Sequence, residues 1–185
     1  MLWNGWIYRS CSNVTIPEPL GRLPNLRGID LSSSGLVGSI PESLGRLRYL
    51  QVLNLSCNKL TGQIPESLGR LRYLEVLDLS DNKLTGQIPS FLGNLSKLDL
   101  SSNQLNGTIP AAIGKLAKLH SLDFSNNSLQ GVVFEAHFAD LSMLKYLDAS
   151  FNTKLTFNVS SDWMPPFQLV TLRLRSCNIT NGFPQ

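Results

Sequence analysis

The chain has 185 residues, 42% of them hydrophobic, and a formal net charge of +3 at pH 7. That apolar content suits a folded core and argues against a disordered chain, and so small a charge argues against a nucleic-acid binder. Only 16% of the residues are charged, and the predominance of Leu, Ser, Asn and Gly points to repetition rather than to a mixed globular fold.

The N-terminal stretch MLWNGWIYRS lacks a basic start followed by a long apolar run, so no secretory signal is predicted. No segment approaches the roughly 20 apolar residues of a membrane helix. Residues 1–22 are read as a degenerate segment in which Trp3, Trp6 and Cys11 are a worn remnant of a cap. Cys11, Cys57 and Cys177 are odd in number and contain no CxxC pair. They are expected to be unpaired thiols filling small positions, not a disulfide framework or a metal site.

From Leu23 onward the chain repeats. Residues 41–64 recur as residues 65–88 and differ only at Gln51/Glu75, Asn54/Asp78 and Cys57/Asp81. With the first Leu of LxxLxxLxL as position 1, units start at Leu23, Leu47, Leu71, Leu95, Leu116, Leu141 and Pro166. An array of about seven repeats over 23–185, incomplete at its C-terminal end, is therefore expected.

Each position has a physical role. Leu at positions 7 and 9 alternates with polar residues at 6, 8 and 10, a period of two that predicts one short strand per unit. Stacked units make a parallel sheet with strands about 4.8 Å apart. Position 12 holds Ser34, Asn58, Asn82, Asn103, Asn127, Asn152 and Cys177. An amide there carries donors and an acceptor for backbone groups where the chain leaves the strand. In LxGxIP, as at Leu60 to Pro65, Gly permits a sharp turn, Ile is buried and Pro opens an extended or helical segment. The residues after Pro, such as ESLGRLRYL, then supply a helical or 3₁₀ turn on the convex side. The fold class is an α/β solenoid.

These residues resemble the plant-specific leucine-rich repeats of receptor-like kinases, receptor-like proteins and polygalacturonase inhibitors. Residues 129–152 and 155–179 look like a part of membrane-anchored receptor-like proteins, the class related to fungal-elicitor receptors. The resemblance implies a curved right-handed array whose concave strands recognise a protein or peptide ligand, together with a co-receptor ectodomain, in defence or development. It also implies a cell-surface location, against which stands the unrecognised signal and membrane helix. Several departures predict a truncated fragment of a larger receptor. Repeat four lacks three residues, placed between Lys97 and Leu98, and repeat six has an extra residue near Thr153 and Asn158-Val159 in place of GxIP. Terminal repeats without caps leave a sticky edge, so self-association through the ends is expected. An inhibitor of cell-wall polygalacturonases and a remnant without independent function are the alternative readings.

The candidate ligand-binding residues are Glu75, Asp78, Asp81, Asp99, His120, Asp123, Tyr146, Arg173 and Arg175, all at strand-face positions. Position 8 reads Asp30, Asn54, Asp78, Asp99, Asp123, Asp148 and Arg173. Aligned carboxylates repel one another and favour a cationic partner, although Asp is also the ordinary filler of this position. Seven N-x-[ST] sequons occur; Asn13, Asn94, Asn106, Asn158 and Asn178 are the glycosylation candidates, ahead of strand-face Asn54 and Asn126. His120 and His137 form no HxxxH pair, and neither a phosphate loop nor a GxSxG elbow is present. The chain is accordingly read as non-catalytic, with no cofactor and no metal. Arg46, Arg48, Arg70 and Arg72 make a small basic convex patch, read as a solvated face.

Overall fold

A computed structural model describes residues 6–7, 13–90 and 93–180. Two parallel sheets run the length of the solenoid. The first takes, in order, Trp6–Ile7, Gly28–Asp30, Val52–Asn54, Val76–Asp78, Lys97–Asp99, Ser121–Asp123, Tyr146–Asp148 and Thr171–Arg173. The second comprises Val37–Gly38, Lys59–Gly62, Lys83–Gly86, Gln104–Gly107, Ser128–Val133, Lys154–Phe157 and Asn178–Ile179. Trp6–Ile7 pairs in parallel with Gly28–Ile29, while Trp3 and Cys11 of the expected cap remnant lie outside the described residues.

Between the sheets the repeat leucines form one continuous core that includes Leu53, Leu55, Leu60, Leu77, Leu79 and Leu84, all nearly or wholly buried. The 3₁₀ helices Glu18–Arg22, Glu42–Arg46, Glu66–Arg70, Ala111–Lys115 and Glu135–Phe138 close the convex side. Four of them follow a proline in extended backbone, φ −65° to −70°, which cannot itself continue a strand ladder.

The asparagine ladder welds repeats together. Asn82 donates through Nδ2 to the carbonyls of Leu55, Leu79 and Ser80, and its Oδ1 accepts from the Leu60 N–H at 2.9 Å. Asn58, Asn103, Asn127 and Asn152 do the same in their own repeats. At the last rung Cys177 is a free thiol donating to the Ala149 carbonyl. The ladder holds a strained step in place: the residue just before it is left-handed in every unit, Ser33, Cys57, Asp81, Ser102, Asn126, Phe151 and Ser176 having φ between 51° and 62°.

The glycine of LxGxIP has two reasons to be there. Gly86 has a φ of +81°, and a Cβ on it would sit 2.8 Å from Cγ of Gln63 in the preceding repeat.

Repeat four is corrected by register. Lys97 and Leu98 pair with Val76 and Leu77 as consecutive strand residues, so nothing is missing between them. Leu95 therefore takes the place of Leu74, not Leu71, and the three missing residues come out of the segment upstream. There the strands impose no spacing. In repeat six the extra residue is absorbed by a turn, Leu155 N–H to Asn152 carbonyl at 3.0 Å. Val159 stays buried where Ile stands elsewhere, and Trp163 and Phe167 pack on Phe138 behind it.

Candidate functional site

The polar face of the first sheet brings the sequence-predicted residues into one surface, because parallel in-register pairing aligns like positions. Asp78 pairs with Asp99, Asp99 with Asp123, Asp123 with Asp148, and Asp148 with Arg173. Each acid spends one oxygen on the scaffold. Oδ1 of Asp78, Asp99 and Asp123 accepts both the N–H and the hydroxyl of the serine two residues on, Ser80, Ser101 and Ser125. Asn54 makes the same pair of bonds with Ser56, so an amide oxygen suffices for this job. That is the physical reason Asp fills the position by default.

The other oxygens face outward, and the chain partly answers them itself. Lys97 Nζ sits 2.8 Å from Asp78 Oδ2 and 3.8 Å from Asp99 Oδ2. Burial works against the ammonium, but the hydrogen bond and charge of Asp78 outweigh it and hold Lys97 above the usual lysine range. Asp99 is also raised, chiefly by burial, with repulsion from Asp78 and Asp123 opposing the Ser101 bonds. Two carboxylates and a shared lysine thus form a compact acidic centre.

Further along, the Tyr146 hydroxyl donates to Asp123 Oδ2 at 3.1 Å and lies 3.4 Å from Asp148 Oδ2. Arg173 closes the cluster, 3.6 Å from Asp148 Oδ2 and 5.7 Å from the Tyr146 ring centroid. Burial and then the charge of Asp123 push the Tyr146 phenol up to about 12. Because the folded value exceeds the ordinary one of about 10, this group's stabilisation is whole below pH ~10 and disappears as pH climbs through the folded value. A phenolate absorbance titration should show one tyrosine ionising near 12, and Tyr146→Phe should remove that step. Its persistence in the variant would place the hydroxyl away from the two acids.

Glu75, Asp81, His120, Arg173 and Arg175 are exposed around this centre. His120 Nδ1 lies 2.7 Å from the Lys118 carbonyl, whereas His137 is buried on the convex side, its Nε2 3.1 Å from the Ile109 carbonyl. Lys97 and exposed Phe151 belong to the same surface and are not singled out by the sequence, which shows Asp148 only as a member of the position-8 row. Lys97 becomes visible there only once the gap in repeat four is placed upstream of Leu95. Of the sequons, Asn13, Asn94, Asn106, Asn126, Asn158 and Asn178 are exposed, and Asn54 is half-buried with its oxygen engaged by Ser56. Among the described residues no helix is long and apolar enough to cross a membrane.

A family model for a leucine-rich repeat region matches residues 9–185, and the chain belongs to that family. Within it the chain is similar to plant receptor-like proteins. It is 50% identical over 56 residues to the receptor-like protein EIX2 of Solanum lycopersicum, a stretch that is 30% of this chain and 5% of the relative. The crystal structure of the Arabidopsis receptor kinase HAESA, in complex with the peptide hormone IDA and the co-receptor SERK1, matches 95% of this chain and 30% of that one. The identity is 32% and the TM-score 0.86. A plant ice-binding protein matches 97% of this chain and 74% of that one, at 27% identity and a TM-score of 0.65. One scaffold thus hosts different ligands, and the ligand must be argued from the surface.

Proposed function

We propose that this chain is a non-catalytic recognition module of a plant cell-surface receptor-like protein, taking a peptide or protein segment along the polar face of the first sheet. The observation that carries the reading is the divided use of the acid row. One oxygen of each carboxylate is tied to the scaffold and the other meets the strand-face groups Lys97, Tyr146 and Arg173, with exposed Glu75 and Asp81 toward one end of the row and Arg173 and Arg175 at the other. Such a face offers a ligand acids in the middle of the array and cations at its far end. A co-receptor ectodomain is a further partner of this reading. The HAESA complex, with its peptide and co-receptor, supports this assignment by likeness.

The test uses cationic peptides selected from a random display library on this chain. Asn54 already does the scaffold work with an amide, so D78N/D123N removes charge without removing the serine bonds. Affinity for a selected peptide should drop about tenfold, or about 1.4 kcal/mol. Unchanged binding in that variant, with the peptide still mapped to the array, would exclude the acid row as the recognition surface.

A further inference from the structure

Repeats two and three place a second polar surface away from the strand face. Arg46, Arg48 and Tyr49 recur one unit later as Arg70, Arg72 and Tyr73, and all six side chains are exposed. They line a groove of about 900 Å³ with Gly45 and Gly69, and no carboxylate is among its lining residues. The acids of the same 3₁₀ helices, Glu42 and Glu66, line a different groove with Gln63 and Gln87. None of the described ion pairs involves these guanidiniums. The tyrosines are 53% and 57% exposed, and their rings stack at 6.1 Å with a 25° interplanar angle.

We infer that this Arg–Tyr ladder is a docking site for an extended acidic peptide segment running along the solenoid axis, with carboxylates on alternate residues. Three features favour that chemistry. Arginine forks grip planar carboxylates with two parallel hydrogen bonds, which lysine cannot do. Alternate side chains of an extended chain stand about 6.6 Å apart, and the two stacked tyrosine rings have their centroids 6.1 Å apart. The stacked rings give the intervening backbone an apolar floor, so the strip selects an ordered chain over free counter-ions. The site is independent of the strand-face reading, since neither Asp78 nor Asp123 lines it.

The probe is a fluorescent peptide of alternating Glu and Ser, compared by anisotropy on the full chain with its isomer carrying the glutamates in one block. The alternating peptide should bind several-fold tighter, and its affinity should fall with salt as exposed charges are screened. R46E/R70E should lower that affinity more than tenfold, with R46Q/R70Q intermediate and Y49A/Y73A several-fold weaker. D78N/D123N should leave it unchanged. Thermal melts by circular dichroism establish that each variant is folded, and the Gln pair serves if charge reversal unfolds the chain. Equal binding of the two isomers, or retention of binding by the folded Arg variants, overturns the proposal. So does tighter binding of an oligogalacturonate than of the alternating peptide, which would assign the ladder to acidic polysaccharide instead.

Discussion

Asn82→Ala should destabilise the chain by about 1–3 kcal/mol, toward the upper end because four hydrogen bonds are lost at once. The side chain is 8% exposed and joins two repeats: three carbonyls accept from its amide, and its oxygen takes the Leu60 N–H. Alanine leaves the Leu60 N–H without a partner in a space shaped for an amide, while the carbonyls of Leu55, Leu79 and Ser80 keep bonds from Asn58, Asn103 and the Cys57 N–H. Asn82→Asp should be worse still at neutral pH. It keeps the acceptor for Leu60 but turns a negative oxygen toward three carbonyls, and acidification should recover part of the loss. The neighbouring Lys83→Ala, on an exposed side chain, should stay within about 0.5 kcal/mol. Urea unfolding followed by circular dichroism reads all three. If Asn82→Ala and Lys83→Ala have the same midpoint, the position-12 amide does not couple the repeats.

The scaffold was legible because its determinants are one-dimensional. Leu53 and Leu55 alternate with polar neighbours, and a period of two needs no tertiary information to become a strand. The amide at Asn58 or Asn82 announces its own role for the same reason: the donors and acceptor it carries match the backbone groups that a departing strand must satisfy. The acid row could be seen as a row, but not its division of labour. That Oδ1 of Asp78 belongs to Ser80 while Oδ2 belongs to Lys97 depends on the register between repeats. Register is not legible where the repeat is short. With the gap assigned between Lys97 and Leu98, the lysine lay off the face it occupies. The left-handed step at Cys57, Asp81 and Phe151 was invisible for another reason. Glycine normally signals such backbone, and here the ladder beside it holds ordinary residues in that conformation. Tyr146 was named as a face residue, yet its bridge between Asp123 and Asp148 needed the neighbouring strands in place.

The convex side supplies the other large effect, at Gly45. This buried residue lies within the Glu42–Arg46 helix, and a Cβ built on it would overlap the carbonyl oxygen of Ser67 and come within 2.7 Å of the Ser67 carbonyl carbon and Cβ. Those atoms belong to the next helix and are mostly backbone, so no side-chain rotation relieves the overlap; the two repeats must move apart. Gly21 against Ser43 and Gly114 against Ala136 repeat the arrangement. Gly45→Ala should therefore cost about 3 kcal/mol or more, at the top of the range for overpacking. Gly62→Ala is the internal comparison. It meets only an ordinary contact at 3.7 Å from Ser39, so its cost is the left-handed backbone at φ +79°, about 1–2 kcal/mol. The two substitutions add the same methyl group, which makes their ranking a test of geometry, not of hydrophobicity. A solenoid is held by interfaces between neighbours, so prying repeats one and two apart should also lower the cooperativity of unfolding, seen as a smaller urea m-value for Gly45→Ala alone. Equal midpoints and equal slopes for the two variants would mean that the helices do not stack through Gly45, and that the convex side follows the strands instead of helping to set the repeat spacing.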